Sequence, residues 1–286
     1  MRLVRISWLA GLLFCCSMSG LAQVRVEIGP LEPVRSGESI LIRVMTYNLH
    51  HGVDALNRSS LEKIAVFIRD NRIDLVGLQE VDRNWSERSG FRDQAMELAS
   101  ATGLNLAFLP TLTRGTQASY GMAVLSRFPL LAQSGSLYSQ AQEPRGYLTV
   151  TVGMAERPVN FIVTHLGLDA TERLSQVGEL GKALNSLPGP LILVGDMNGG
   201  SDDPAVMAIL ANLRDALQEM GRGSRGTLIA NNGAVGARID FLLATPEFHI
   251  ENCLVPEINF SDHRPVVAFL SLYLDPSPGL NPSQST

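Results

Sequence analysis

The sequence predicts a mixed α/β layered domain built around one core, and three observations carry that prediction. From residue 41 onward short apolar runs of strand length alternate with fewer stretches of helical periodicity, and no Pro/Gly/Ser-rich linker divides them before the C-terminal tail. The composition, 45% apolar and 18% charged over 286 residues, supplies a sizeable core and excludes disordered, collagen-like and coiled-coil chains. Polar residues of metal-binding or acid–base type stand at the ends of the apolar runs, where layered α/β folds build their sites.

The elements follow in chain order. Leu41 to Met45 is expected as a strand. Ser59-x-x-Glu62 has the form of a capping box, and Leu61, Ile64, Ala65, Phe67 and Ile68 recur at helical spacing, so a helix is expected from Ser60 to Asp70. A buried strand from Ile73 to Leu78 precedes a helix near Asp93 to Thr102. Strands are then expected from Asn105 to Leu109, Gly121 to Leu125, Tyr147 to Val152 and Val159 to Val163. A helix near Ala170 to Leu187, a strand from Leu191 to Val194 and a helix near Asp203 to Leu210 come next. Strands from Ile239 to Leu243 and Pro265 to Leu270 complete the series, and no internal repeat is present. Residues 275–286 have the composition of a disordered tail.

The N-terminus has the form of a secretory signal peptide over residues 1–22. Arg2 and Arg5 precede an apolar stretch from Ile6 to Ala22 that closes on Gly20-Leu21-Ala22, small where a cleavage site requires it. An uncleaved membrane anchor is the competing reading, since the stretch lies at the short limit of a span. A lipoprotein box is disfavoured, because Phe14 and Cys15 precede the cysteines where a small residue is needed. Cleavage would remove Cys15 and Cys16 and leave Cys253 without an intrachain partner. It would also drop Arg2 and Arg5 from 23 basic residues against 28 acidic ones, taking the net charge from −5 to −7. No basic block is present, so a large phosphate-tracking surface gets no support. The expected organisation is a secreted or periplasmic protein with an N-terminal extension over 23–40 and a single domain over 41–274.

Six segments place chemistry-bearing residues at or near strand ends: residues 46–52 with Asn48, 78–82 with Glu80, 164–166 with His165, 195–199 with Asp196 and Asn198, 261–263 with Asp262 and His263, and 238–240 with Asp240, the last expected inside a strand. Each has an ordinary alternative. Glu80 is either a salt-bridged terminus or an oxygen ligand for a hard cation. Gly195-Asp196-Met197-Asn198-Gly199 is either a tight Asx turn or an extended stretch whose Asp196 and Asn198 converge on one phosphate or water. His165 alone would be a structural histidine, and His263 a turn residue in a surface ion pair. Together, four carboxylates with asparagine favour Mg²⁺, Mn²⁺ or Ca²⁺ over zinc, and leave two histidines for proton transfer or phosphate contact.

In that order and composition the segments resemble the endonuclease/exonuclease/phosphatase superfamily, over roughly Arg43 to Leu270. Residues 45–52, 78–84, 88–94, 120–129 and 143–146 look like a secreted bacterial branch, itself similar to a eukaryotic protein of GPI-anchor lipid remodelling. The resemblance implies a four-layered α/β sandwich, two mixed β-sheets packed face to face with helices outside. It implies Asn48, Glu80 and Asp262 at a metal site for Mg²⁺, Mn²⁺ or Ca²⁺, and Asp196 and Asn198 orienting water and contacting phosphate. His263 and His165 would handle protons or phosphate, Asp240 would orient one of the two, and Arg145 and Tyr120 would contact substrate. Met197 departs from the aromatic residue usual in relatives.

The implied activity is hydrolysis of a phosphodiester by metal-assisted in-line attack of water. The alternatives are an endonuclease, a sphingomyelinase-like or phospholipase C-like head-group hydrolase, and a non-catalytic binding protein with the same fold. The expected partners are a phosphate ester, whether nucleic acid, lipid head group or soluble ester, and a membrane surface in peripheral contact; the chain is expected to be a monomer. The loop from Arg83 to Gln94 and the stretch from Thr113 to Tyr120 are candidate specificity elements, or else solvated loops with an ordinary arginine excess.

Overall fold

A computed structural model describes residues 39–139, 141–154, 157–230 and 232–273. The signal segment, Cys15, Cys16 and the tail lie outside the described residues.

Two mixed six-stranded sheets form the centre. The first has the order β11 (Phe248–Leu254), β12 (Val266–Tyr273), β1 (Ser39–Asn48), β2 (Leu75–Arg83), β4 (Ala118–Ser126), β3 (Asn105–Arg114). The second has the order β5 (Leu130–Leu137), β6 (Gly146–Met154), β7 (Arg157–His165), β8 (Leu191–Asp196), β10 (Asp240–Ala244), β9 (Arg214–Asp215). Each sheet holds one parallel pair, β1 with β2 and β7 with β8, and the other pairings are antiparallel. A parallel pair needs a crossover, and helices α1 (Leu61–Asp70) and α3 (Ala170–Ser186) supply the two. Helices α2 (Gln94–Thr102), α4 (Pro204–Leu210) and α5 (Ala216–Glu219) complete the set.

Alternation along the strands builds three apolar layers. Ile42, Val44 and Val124 of the first sheet meet Val163, Ile192 and Val194 of the second between the sheets. Met45, Tyr47, Val76 and Leu78 point the other way, onto α1 and α2 through Ile64, Ile68 and Leu98. Ile162, Leu191 and Leu193 likewise face α3 and α4 through Val177, Leu180 and Ile209. Helix, sheet, sheet and helix therefore stack in four layers, and strands covered on both faces read as continuous apolar runs. Gly77 marks the closest approach of the sheets, since a Cβ there would stand 2.8 Å from Val163 Cγ2 and press still harder on Val194.

Three details differ from the sequence expectation. The capping box does not form: Ser60, not Ser59, is the N-cap of α1, and its side chain makes no capping bond. The other helices of the outer layers use aspartate, Asp93 accepting from Met96 N, Asp169 from Thr171 N and Asp203 from Ala205 N. Asp240 opens β10 instead of lying within it, because the chain reaches the sheet only there. Strands β5, β9 and β11 and helix α5 are additional to the expected elements.

Candidate active site

All the expected site residues gather at one end of the sandwich. Strands β1, β2, β7 and β8 end there, whereas β4, β6, β10 and β12 run antiparallel to a neighbour and begin there. Register then aligns the second sheet's share: His165, Asp196 and Asp240 are direct neighbours on β7, β8 and β10.

Asn48 joins the two sheets. It is buried at the end of β1, and its Nδ2 donates to Glu80 Oε1 at 3.1 Å and to Asp196 Oδ2 at 3.1 Å, while its Oδ1 accepts from His50 N at 3.0 Å. Glu80 reaches this position through a break in the β2–β4 register between Leu78 and Val81. It adopts φ +58, and such a bulge re-aims a side chain at the expense of local strain. Burial pushes the Glu80 carboxyl up, but the charge of His165, the Asn48 hydrogen bond and Arg145 outweigh it and hold it below the ordinary carboxylate range.

Asp196, Asp240 and His263 form a buried group whose ligand-type atoms all lie within 4.8 Å of one another. His263 Nδ1 stands 2.8 Å from Asp240 Oδ2, so of the two histidines it is His263 that contacts Asp240. Asp196 Oδ2 lies 3.7 Å from His263 Nε2 and 3.4 Å from His165 Nε2. Burial opposes the charge on His263, yet Asp240 and Asp196 prevail and raise its pKa to about 10. Burial likewise opposes ionisation of Asp196, and the two histidines reverse it, so Asp196 titrates well below an ordinary aspartate. The pair thus stands as an anionic Asp196 facing a cationic His263 at neutral pH.

The segment 261–263 is tied down from both sides. Ser261 Oγ donates to the Asn48 carbonyl at 2.8 Å and accepts from His263 N at 3.2 Å, and Ile229 N donates to the Asp262 carbonyl at 2.6 Å. The Asp262 carboxylate remains partly open, with His50 Nδ1 3.7 Å away. That nitrogen is buried and has no hydrogen-bond partner. Glu80 and Asp262 offer the hard oxygen donors that Mg²⁺ or Mn²⁺ prefers, the Asn48 amide ties Glu80 to Asp196, and His50 Nδ1 beside Asp262 is left unsatisfied, a donor set that fits a divalent cation.

Of the two geometries open for residues 195–199, Asn198 takes the tight Asx turn and not the extended one. It sits at φ +48, with its N–H bonded to Asp196 Oδ1 at 2.9 Å in an Asx turn, and its Nδ2 donates to Leu166 O at 2.8 Å and lies 3.2 Å from His165 Nε2. Its amide therefore holds the His165 strand end in place. Arg145, buried just before β6, directs Nη1 onto His165, 2.6 Å from Nδ1 and 2.9 Å from Nε2, and pairs with Glu143 at 3.2 Å. Tyr120, at the start of β4, lies under Arg88 and beside Trp85, at 5.3 Å and 6.2 Å. Met197 is fully buried in the layer under α3 and α4, so its departure from an aromatic residue is a matter of packing.

His50 was not singled out by the sequence reading. Its signal was present in the His-His pair two residues after Asn48, but its position depends on three successive left-handed residues, His50, His51 and Gly52. The arginines of the 83–94 loop resolve as internal pairs: Arg83 with Asp93 at 2.8 Å, Arg88 with Asp82 at 2.7 Å, and Arg92 with Glu97.

Comparison with known proteins agrees with the fold. Residues 45–263 match the endonuclease/exonuclease/phosphatase family. The chain belongs to that family. Protein cwh43 of Schizosaccharomyces pombe is 27% identical over 192 residues, 64% of this chain and 19% of that protein, so the chain spans about a fifth of this relative's length. An endonuclease/exonuclease/phosphatase family protein from Bacteroides thetaiotaomicron superposes with a TM-score of 0.70 at 17% identity, covering 86% of this chain and all (100%) of that one. A mannosyl-6-phosphatase of the same species superposes at 0.68 with 18% identity, over 80% of this chain and 99% of that one. Family members hydrolyse phosphate esters and typically depend on a divalent metal, and the buried Asp196–Asp240–His263 group accords with that chemistry.

Proposed function

We propose that this protein is an exported, divalent-metal-dependent phosphodiesterase that cleaves its substrate by in-line attack of water. The observation that carries the reading is the opposition of Asp196 and His263 across 3.7 Å, with Asp240 fixing the histidine from behind. Glu80, Asp262 and Asn48 would hold the metal, which when bound supplies positive charge to a non-bridging phosphate oxygen. Asp196, kept anionic, orients the attacking water and accepts its proton. His263, kept cationic, donates a hydrogen bond to the phosphoryl group as negative charge develops on it. Arg145 adds a second cation at the His165 side, and Asn198 acts as a positioning residue for His165.

A diester suits this site better than a monoester. Glu80, Asp196 and Asp262 line it with Asp240 behind His263, and a doubly charged monoester meets their repulsion more strongly than a singly charged diester. Export is the reading that the residues 1–22 support, through their basic start and apolar stretch.

The test is hydrolysis of bis-p-nitrophenyl phosphate and of p-nitrophenyl phosphate, with Mg²⁺ and with EDTA. Turnover of the diester is expected to require Mg²⁺ and to exceed that of the monoester. Glu80→Ala and His263→Ala should each lower kcat on the order of 10³-fold, the scale of losing one preorganised group. Near-wild-type turnover in either variant would sink the assignment.

A further inference from the structure

Segments 224–226 and 235–236, together with Val255, Glu257 and Arg264, enclose a cavity of about 430 Å³, within the roughly 300–1,000 Å³ of small-molecule sites. None of the candidate active-site residues lines it. His263 is bridged to Leu228, and side chains alternate along an extended chain. Arg264 is therefore directed away from the side on which His263 meets Asp196 and Asp240. Backbone bonds fix the wall in place, Arg264 N donating to Thr227 O at 2.7 Å and Ile229 N to Asp262 O at 2.6 Å. Its two segments can approach because residue 226 is glycine, where a Cβ would collide with the Gly236 carbonyl.

The lining offers donors without acceptors. The buried Nε atoms of Arg145, Arg238 and Arg264 all lack a partner, but the Nη atoms of the first two are bonded, Arg145 to His165 and Arg238 to Gly223 O and Asp215. The Arg264 side chain has no hydrogen bond or ion pair to any described residue. The Ser224 hydroxyl and the Ser224 and Gly226 N–H groups likewise donate to none among the described residues. A buried donor left unmade is costly, and a ligand that accepts from it removes that cost.

Charge and shape select the ligand. Two arginines, Arg225 and Arg264, against one carboxylate, Glu257, leave the lining one positive charge in excess. Arg225 stands 3.7 Å from Glu257 in a pair exposed on both sides, which holds it weakly. Arg222, close by, is bonded to Asn252 Oδ1 at 2.6 Å and to Cys253 O, and to no carboxylate among the described residues. A single carboxylate balances the excess and matches the planar fork of a guanidinium with two parallel hydrogen bonds. A phosphate dianion would overshoot the balance beside Glu257. Val235 and Val255 add apolar wall for a short carbon chain.

We propose that this cavity binds a small carboxylic acid, with Arg264 holding the carboxylate and Val235 and Val255 packing against its carbon chain. The site lies behind His263 and is separate from the catalytic opening, so it takes a second ligand in addition to the substrate.

The test is an NMR titration of the full, metal-free, ¹⁵N-labelled chain with butyrate, set against acetate and inorganic phosphate. Butyrate is expected to shift the Ser224 and Gly226 amide resonances and the Arg264 Nε–H resonance, the last identified by its absence from Arg264→Lys. It should bind about threefold or more tightly than acetate, because its two further methylenes meet the valines. Arg264→Ala should weaken binding about tenfold or more, the scale of losing one charge-assisted pair, and Arg264→Lys by less, since it keeps the charge and loses the fork. Unchanged resonances elsewhere report an intact fold. Arg225→Ala, at an exposed position, should also weaken binding and serves where Arg264→Ala does not fold. Absence of shifts at Ser224 and Gly226, butyrate binding that these variants retain, or phosphate binding there at least as tight as that of butyrate would each overturn the assignment. The diesterase reading stands or falls separately, on turnover of bis-p-nitrophenyl phosphate with Mg²⁺.

Discussion

His263 is under two opposed pressures, burial driving its proton off and the carboxylates of Asp240 and Asp196 keeping it on, and the carboxylates win. A histidine raised to about 10 is charged throughout the neutral range, so its loss of function belongs to the alkaline side. Asp240→Asn removes the largest of the opposing charges and leaves the burial. The alkaline limb of kcat/KM should then fall by about 1–3 pH units, the size of one close charge pair. Proton NMR of the His263 ring in the metal-free protein should show the same displacement, and an unmoved titration would refute the role given to Asp240. Each residue of this site had an ordinary reading by itself, as a salt-bridged terminus, a turn or a structural histidine, and the site became legible only because six such segments stand together at strand ends in one order. His50 was missed, and the sequence did not choose between turn and extended geometry at Asn198, since both depend on left-handed backbone that side-chain type alone does not announce.

At the scale of elements, the strands read most plainly from sequence are those covered on both faces, where burial forces an unbroken apolar run, as in Leu191–Asp196. Strand β5 is exposed along nearly all its length at a sheet edge, so nothing selects apolar residues there. Strand β11 does alternate at first, but a shift between Ile250 and Asn252 breaks the period. The Glu80 bulge is the same device used for chemistry, and no composition signal marks it. Sheet-to-sheet spacing is likewise set by one residue, Gly77, packed on Val163 and Val194. Gly77→Ala should overpack the centre by about 1–3 kcal/mol. In a domain of this size that corresponds to a Tm roughly 2–10 °C lower. Differential scanning calorimetry checks it, and an unchanged Tm would mean that the sheets can separate without cost.

The whole molecule carries a net charge of −5, and part of that excess is concentrated where the two sheets open onto the site. Glu80, Asp196, Asp240 and Asp262 come from both sheets and from the segment before β12, so a cation held among them would fasten together elements far apart in sequence. Binding to the folded chain alone stabilises it by mass action, about 2.7 kcal/mol at a hundredfold excess over Kd. Mg²⁺ should therefore raise Tm over an EDTA control by roughly 5–10 °C at saturating concentration, given the usual shift per kcal/mol for this chain length. Glu80→Ala/Asp262→Ala should lose the rise, because both carboxylates proposed to hold the cation are gone while Asp240 keeps its contact with His263 and Asp196 stays in place. A rise that survives in the double variant would move the cation to the Asp196–Asp240–His263 group, whose atoms are close enough to hold one. No rise in the parent chain would leave the acidic excess without its proposed counter-charge, and the catalytic reading would fail with it.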